Sequence, residues 1–284
     1  MDAFSLEPPR DLQERWLAVL ARFTLDHIAG LEQAPAAGPI GAEAAAIADE
    51  VSRPIGEEPL PGGINAVVGV LERAVEASLN AAGPGYLAYI PGGGIYAAAL
   101  ADFVADGLNR YTGMSAPAPA LFRLEQDVLA WLCQGFGYGK KARGLFTPGG
   151  SLANLAAVIT ARHEHFGEDG NFERAVVYTS TQAHHSIAKA VRLAGIPFSN
   201  MRPVAVDDAF RMRTDALEQS IADDRKLGLR PFLVIAAAGT TNTGAVDPLE
   251  AVADVTARES LWLHVDGAYG GAFVLCEEGR QRLQ

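Results

Sequence analysis

The sequence predicts an α/β fold built on a mostly parallel sheet covered by helices on both faces. Two observations lead there. From residue 175 onward, short apolar runs at 175–179, 203–206, 232–236 and 261–265 alternate with helix-length segments. The runs are also close to continuously apolar rather than alternating, as expected of strands buried on both faces.

Taken in order, residues 11–29 have the apolar spacing of an amphipathic helix, with Trp16, Val19, Leu20 and Phe23 on one side, Asp11 placed to cap it and Gly30 to stop it. Residues 33–62 are rich in Pro, Ala and Gly and read as a linker holding a short Ala-rich helical turn. Ile64 to Asn80 reads as a second helix, ended by Gly83-Pro84-Gly85. Tyr86 to Pro91 is a short extended piece, and Gly92-Gly93-Gly94 allows close backbone approach or a flexible joint. Helices follow over about 95–109 and 119–135. Pro148-Gly149-Gly150-Ser151 opens a helix to about His165. Further helices are expected at His184–Leu193, Asp215–Lys226 and Pro248–Arg258, with Asp247 capping the last.

Bulk properties narrow the function. The chain has 284 residues, enough for one large domain or two small ones, and is 49% hydrophobic and 20% charged, as in ordinary globular proteins. A net charge of −11 argues against a nucleic-acid surface. Cys133 and Cys276 are the two cysteines, too few for a disulfide scaffold or a Cys-based metal site, and they suit a cytoplasmic protein. No apolar run spans a bilayer, and the start, with Asp2, Glu7 and two prolines, does not read as a secretory signal.

Four polar clusters are expected at the carboxyl ends of successive strands. Gly149-Gly150-Ser151 opens a helix, where free N–H groups favour an anion; Ser151 there is a phosphate ligand or a simple N-cap. The nucleotide P-loop and GxGxxG spacings are absent. His184, after the run at 175–179, is suited to stacking on a flat ligand or to acid/base work, or merely to capping; its neighbour His185 diverges from it, as His163 does from His165, so no metal site is expected. Thr240-Thr241-Asn242-Thr243 either holds polar ligand atoms or satisfies its own loop. Asp266 ends the run 261–265 and either caps a turn with Gly267 or awaits a partner. A flat, phosphorylated, nitrogen-containing cofactor needs these four kinds of group. A carboxylate beside a ring nitrogen keeps that nitrogen protonated, which is the requirement of pyridoxal 5′-phosphate chemistry.

With these residues in view, the sequence resembles the fold-type I, pyridoxal-phosphate-dependent group II amino acid decarboxylases, the family of aromatic-amino-acid, glutamate and diaminobutyrate decarboxylases. The resemblance covers about residues 76–276 and rests on Phe146–Asn154, Tyr178–Ser186, Gly239–Asn242 and, most specifically, His264-Val-Asp-Gly-Ala-Tyr-Gly-Gly271. Ala88–Gly92 and Ala116–Glu125 look like the family's substrate-side segments. The resemblance implies an aspartate-aminotransferase-like large domain over 76–284, incomplete at its C-terminus, after a helical segment and linker over 1–75. It implies that Gly150 and Ser151 hold the cofactor phosphate, His184 stacks on the pyridine ring, Asp266 pairs with the ring nitrogen, Thr241 and Ala268 line the cofactor, and Gly92 lies near the substrate. His184 and Asp266 would be the catalytic pair. It also implies a small-molecule amino acid substrate of unspecified side chain and a homodimer, with Arg110–Gly113 a candidate for reaching the neighbour's site.

The sequence departs from the family's pattern in places. Thr181 stands where the family often has an acid. The family's Schiff-base lysine follows the aspartate in a His-Lys pair, whereas no lysine follows Asp266, and Lys140, Lys141, Lys189 and Lys226 match no such position. The expectation is a chain cut short of that lysine and of the small C-terminal domain, and inactive alone. The alternatives are another fold-type I carbon–carbon lyase, or a non-catalytic cofactor-binding or dimer-modulating short homologue.

Overall fold

A computed structural model describes residues 7–52, 56–58, 60–87, 90, 92–168 and 170–283. The chain divides into two compact units, Met1–Asn109 and Arg110–Gln284.

The described part of the first unit is helical: α1 (Arg10–Gly30), α2 (Ala42–Val51), α3 (Gly63–Glu76) and α4 (Tyr96–Leu108). Asp11 does not cap α1. Pro9 occupies the cap position, and Asp11 lies inside the first turn, paired with Arg15 at 2.7 Å. Helix α3 stops short of the expected Asn80 because the backbone there bonds elsewhere: Gly38 N–H donates to Ser78 O at 3.1 Å and Asn80 N–H to Ala36 O at 2.9 Å. Of the expected extended piece at 86–91, Ala88, Tyr89 and Pro91 lie outside the described residues.

The second unit contains α5 (Pro119–Gly135), α6 (Gly150–Phe166), β1 (Ala175–Ser180), α7 (His185–Leu193), β2 (Met201–Val204), α8 (Thr214–Lys226), β3 (Arg230–Ala237), α9 (Leu249–Glu259), β4 (Trp262–Asp266) and α10 (Glu277–Arg282). The four strands are all parallel, in the order β2-β1-β3-β4. The chain moves one way from β1 to β2, then crosses back to β3 and on to β4. That reversal puts α7 on one face of the sheet and α8 and α9 on the other, and opens a crevice at the carboxyl ends of the strands beside β1.

Two apolar layers follow from the alternation of side chains along the strands. On one face, Val177, Leu233 and Ile235 pack with Val158 of α6 and Ile187 and Val191 of α7. On the other, Tyr178, Val234 and Ala236 pack with Leu217 and Ile221 of α8 and Val252 of α9. Strand β2 begins and ends two residues before the expected run. Val206 forms an isolated antiparallel bridge with Met212 instead, across a turn in which the Asp207 carboxylate accepts from Ala209 N–H and Arg211 N–H, both at 2.9 Å. The outer position of β2 tolerates Pro203, which has no N–H to give a further strand.

Strand β4 corrects the reading of the 261–265 run as buried on both faces. It is the outer strand on its side of the sheet among the described residues; Trp262, Leu263, His264 and Asp266 are half-buried and Val265 is exposed. Asp247 is a second correction. Helix α9 starts at Leu249 with Pro248 at the cap position, and the Asp247 carboxylate turns inward, accepting from Met212 N–H at 2.7 Å and Ala237 N–H at 2.8 Å. It is a buried tie between the end of β3 and the loop before α8, and burial pushes its carboxyl above the ordinary range.

Candidate active site

Parallel strands bring their carboxyl ends to one edge, and the polar residues after β1, β3 and β4 meet there with the start of α6. Trp262, His264 and Asp266 alternate onto the face of β4 that looks toward α6. Asp266 stands opposite Ala237 in the strand register, and its main-chain oxygen accepts from Ala238 N–H at 2.9 Å.

The centre of the arrangement is Asn154, one turn into α6 and 3% exposed. Its amide nitrogen donates to Asp266 Oδ2 at 3.0 Å and to Ser186 Oγ at 3.1 Å. Its amide oxygen lies 2.7 Å from His264 Nε2. Ser186, in the first turn of α7, is 2.8 Å through its hydroxyl from His184 Nδ1, and its backbone N–H donates to the same nitrogen at 3.3 Å. His184 thus caps α7 through its ring. One continuous set of hydrogen bonds runs His264–Asn154–Asp266 and Asn154–Ser186–His184.

Asp266 keeps acceptor capacity in hand. Oδ1 takes Ala268 N–H at 3.1 Å and Oδ2 takes the Asn154 amide; both donors are neutral, and among the described residues no Lys or Arg pairs with it. Burial holds the His264 imidazole below its ordinary value of 6.5, and Asp266 opposes that only in part. Exposed His185 has its ring centroid 4.0 Å from that of His184, whose proximity lowers the His185 pKa.

Gly149 and Gly150 shape the opposite wall. Gly149 adopts φ 120° and ψ 165°, a region open essentially to glycine alone. A Cβ on Gly150 would stand 3.0 Å from Ala268 Cβ, so α6 starts in close contact with the loop after β4. Leu152 and Ala153 make the first bonds of α6, both to Gly149 O, which leaves the N–H groups of Gly150 and Ser151 at the open end of the helix. The Ser151 hydroxyl is exposed and does not cap the helix, whose cap position is Gly149. The loop after β3 packs against the same segment: Gly270 lies directly on the Ala238 carbonyl, where any side chain would collide. In that loop Thr240 and Thr243 bond each other through their hydroxyls at 2.7 Å, and Thr241 is half-buried.

Of the residues singled out in the sequence, the second unit therefore brings together Gly150, Ala268, Asp266 and His184, with Thr241 in the adjoining loop. Gly92 belongs to the first unit. Asn154, Ser186 and His264 lie in the stretches that carry the family resemblance, but the sequence reading gave them no role. A signal existed for two of them: His264 precedes Asp266 by two residues on one strand face, and Ser186 follows His184 by two at a helix start.

Comparison with known proteins agrees with this geometry. A family model for the pyridoxal-dependent decarboxylase conserved domain matches residues 57–284. An aromatic-L-amino-acid decarboxylase of Bacillus atrophaeus is 39% identical over 201 residues, 71% of this chain and 42% of that protein. The human cysteine sulfinic acid decarboxylase is 36% identical over 185 residues, 63% of this chain and 37% of that protein. Among solved structures, Oryza sativa TDC with PLP and tryptamine superposes with a TM-score of 0.86 at 27% identity, covering 99% of this chain and 62% of that one. The chain thus spans about two fifths of these curated relatives and 62% of that solved chain.

Proposed function

The chain belongs to the pyridoxal-dependent decarboxylase family, and from that premise we propose that it forms the cofactor-binding part of an enzyme removing the α-carboxyl group of an L-amino acid as CO₂. Pyridoxal 5′-phosphate is the cofactor. When bound, it supplies an electron sink for the pair left behind as CO₂ departs.

The chain's own residues bind and orient. The N–H groups of Gly150 and Ser151, at the positive end of α6, hold the phosphate together with the Ser151 hydroxyl. Asp266 holds the proton on the pyridine nitrogen, because a carboxylate next to that nitrogen favours its charged form. His184 packs against the ring and fixes its plane, and Thr241 and Ala268 line the cofactor. Gly92 contributes on the substrate side.

The observation behind this reading is Asp266 itself. A carboxylate at a strand's carboxyl end, served by two neutral donors and by no cation among the described residues, fits a protonated ring nitrogen. Gly149 and Gly150 fit as well, since a side chain at either position would strain or fill the helix start.

The substrate is a small-molecule amino acid and the assembly a homodimer. Exposed apolar side chains on α4, Leu100 at 49%, Phe103 at 60% and Val104 at 53%, support a protein partner for that helix. The free thiols of Cys133 and Cys276 suit the cytoplasm. No helix of the described residues is long and apolar enough to cross a membrane.

Two measurements test the proposal separately. Titration of the chain with pyridoxal 5′-phosphate, followed by visible absorbance, should show saturable binding that Asp266→Ala weakens. CO₂ release from aromatic and acidic L-amino acids, by the longest form of the protein its gene encodes, tests the reaction. Aldehyde without CO₂ would point to a different carbon–carbon lyase.

A further inference from the structure

Asn154 is almost wholly buried, and the chemistry of its neighbours fixes its orientation. A carboxylate only accepts hydrogen bonds, so the amide nitrogen must face Asp266 Oδ2, 3.0 Å away. The amide oxygen then accepts, and His264 Nε2, 2.7 Å away, carries a proton. The second amide hydrogen goes to Ser186 Oγ at 3.1 Å. That oxygen accepts from Asn154 through one lone pair; because the Ser186 backbone N–H leaves His184 Nδ1 without a proton of its own, the hydroxyl donates to that nitrogen at 2.8 Å. The Ser186 backbone N–H, which can only donate, points at the same nitrogen from 3.3 Å. With two donors facing it, His184 Nδ1 carries no proton, and the neutral ring carries its proton on Nε2.

We propose that Asn154 is a positioning residue that couples the charge of Asp266 to the protonation pattern of His184. The negative charge sets the amide, the amide donates to the Ser186 oxygen and turns its hydrogen toward His184, and that hydroxyl joins the Ser186 N–H in keeping Nδ1 bare. This role rests on the proposed function, in which Asp266 and His184 serve one cofactor ring. Asn154 itself would touch neither cofactor nor substrate. It joins Ser186 of α7 to His264 and Asp266 of β4, so a single amide on α6 orients groups on two other elements, one of them 112 residues away in sequence.

The test reads the His184 ring nitrogens by long-range ¹H–¹⁵N correlation in the cofactor-free chain at pH 7. In the wild type, Nδ1 should resonate as an unprotonated nitrogen and Nε2 as a protonated one. In Asn154→Asp, the Ser186 hydroxyl gains a carboxylate to donate to, so Nδ1 loses the hydroxyl donor and keeps only the Ser186 N–H at 3.3 Å. The protonated fraction at Nδ1 should then rise roughly fivefold to tenfold, the scale of one redirected hydrogen bond. Asn154→Leu adds no second charge and serves if the aspartate variant fails to fold; it should move Nδ1 in the same direction by less. A folded variant whose His184 nitrogens match the wild type overturns the proposal. Cofactor titration of the wild type tests the function reading on its own: a chain that binds no pyridoxal phosphate but shifts Nδ1 on Asn154 substitution keeps the coupling and loses the cofactor assignment.

Discussion

The Asn154 amide donates to Asp266 Oδ2 at 3.0 Å, and this one bond ties the first helix of the second unit's α/β core to the carboxyl end of its last strand. Asp266 therefore has two duties, one toward the protein and one toward the cofactor. Asp266→Asn should separate them. The amide keeps the shape but supplies no negative charge for a ring proton. Charge-assisted hydrogen bonds contribute about 1.5–3 kcal/mol, so affinity for pyridoxal phosphate should fall about tenfold to a hundredfold. Equilibrium absorbance titration measures it. Wild-type affinity in Asp266→Asn would remove Asp266 from the cofactor site.

The two glycines before Ser151 should respond differently. Gly149→Ala places a side chain at φ 120°, ψ 165°, and such strained backbone costs about 1–3 kcal/mol. Urea unfolding should report a loss of that size. Gly150 lies inside the helix at ordinary φ, and its added Cβ meets only Ala268 Cβ, at 3.0 Å. Gly150→Ala should cost little stability yet weaken cofactor binding, because α6 must draw back from the loop after β4. Equal losses of stability in the two variants would contradict this account.

Much of this architecture was legible because burial writes itself into short apolar runs. Ala175–Thr179 and Phe232–Ala236 are the central strands, and both read correctly from composition alone. The outer strands read less well. The apolar content of 203–206 suggested a strand, but Val206 leaves the sheet to pair with Met212. The equally apolar 261–265 run is an outer strand and only partly covered. Asp247 before a proline matched a helix cap, yet its partners, Met212 and Ala237 N–H, lie across the fold. The Asn154 network was hidden for the same reason. Asn154 and Asp266 are 112 residues apart, and no spacing rule links an amide on a helix to a carboxylate on a distant strand.

Behind the sheet, Tyr178, Asp224 and Arg202 form a second buried network that the candidate site does not use. Asp224 is 4% exposed and accepts from Tyr178 OH at 2.8 Å and from the Arg202 guanidinium through two nitrogens, at 2.6 and 3.0 Å. Burial, with Asp224 beside it, pushes the Tyr178 hydroxyl pKa upward. Removing the arginine leaves a buried charge without its cation, which costs about 3–5 kcal/mol. Removing the phenol hydroxyl forfeits one hydrogen bond to a carboxylate, about 1.5–3 kcal/mol. Arg202→Ala should therefore destabilise more than Tyr178→Phe in chemical unfolding, with cofactor binding by the folded fraction unchanged in both. The reverse order would mean that the Arg202–Asp224 pair is not what holds this network together.

His264 should make the stability of the second unit depend on pH. Burial disfavours its charged form, so its folded-state pKa lies below the ordinary 6.5, while the unfolded chain titrates near that value. Between the two values the unfolded state binds more protons than the folded one, and stability falls as protons are added. The contribution is complete above about pH 6.5 and is lost progressively as pH drops through the folded value. Asp266 nearby raises the pKa and narrows the window without reversing the sign. The hydrogen bond fits this: His264 donates from Nε2 to the Asn154 oxygen at 2.7 Å, a bond that the neutral ring already makes. His264→Gln keeps a donor for Asn154 but cannot titrate. Unfolding midpoints in urea at pH 5.5 and 7.5 should differ more in the wild type than in the glutamine variant. Equal pH dependence in the two proteins would show that His264 is not the titrating group.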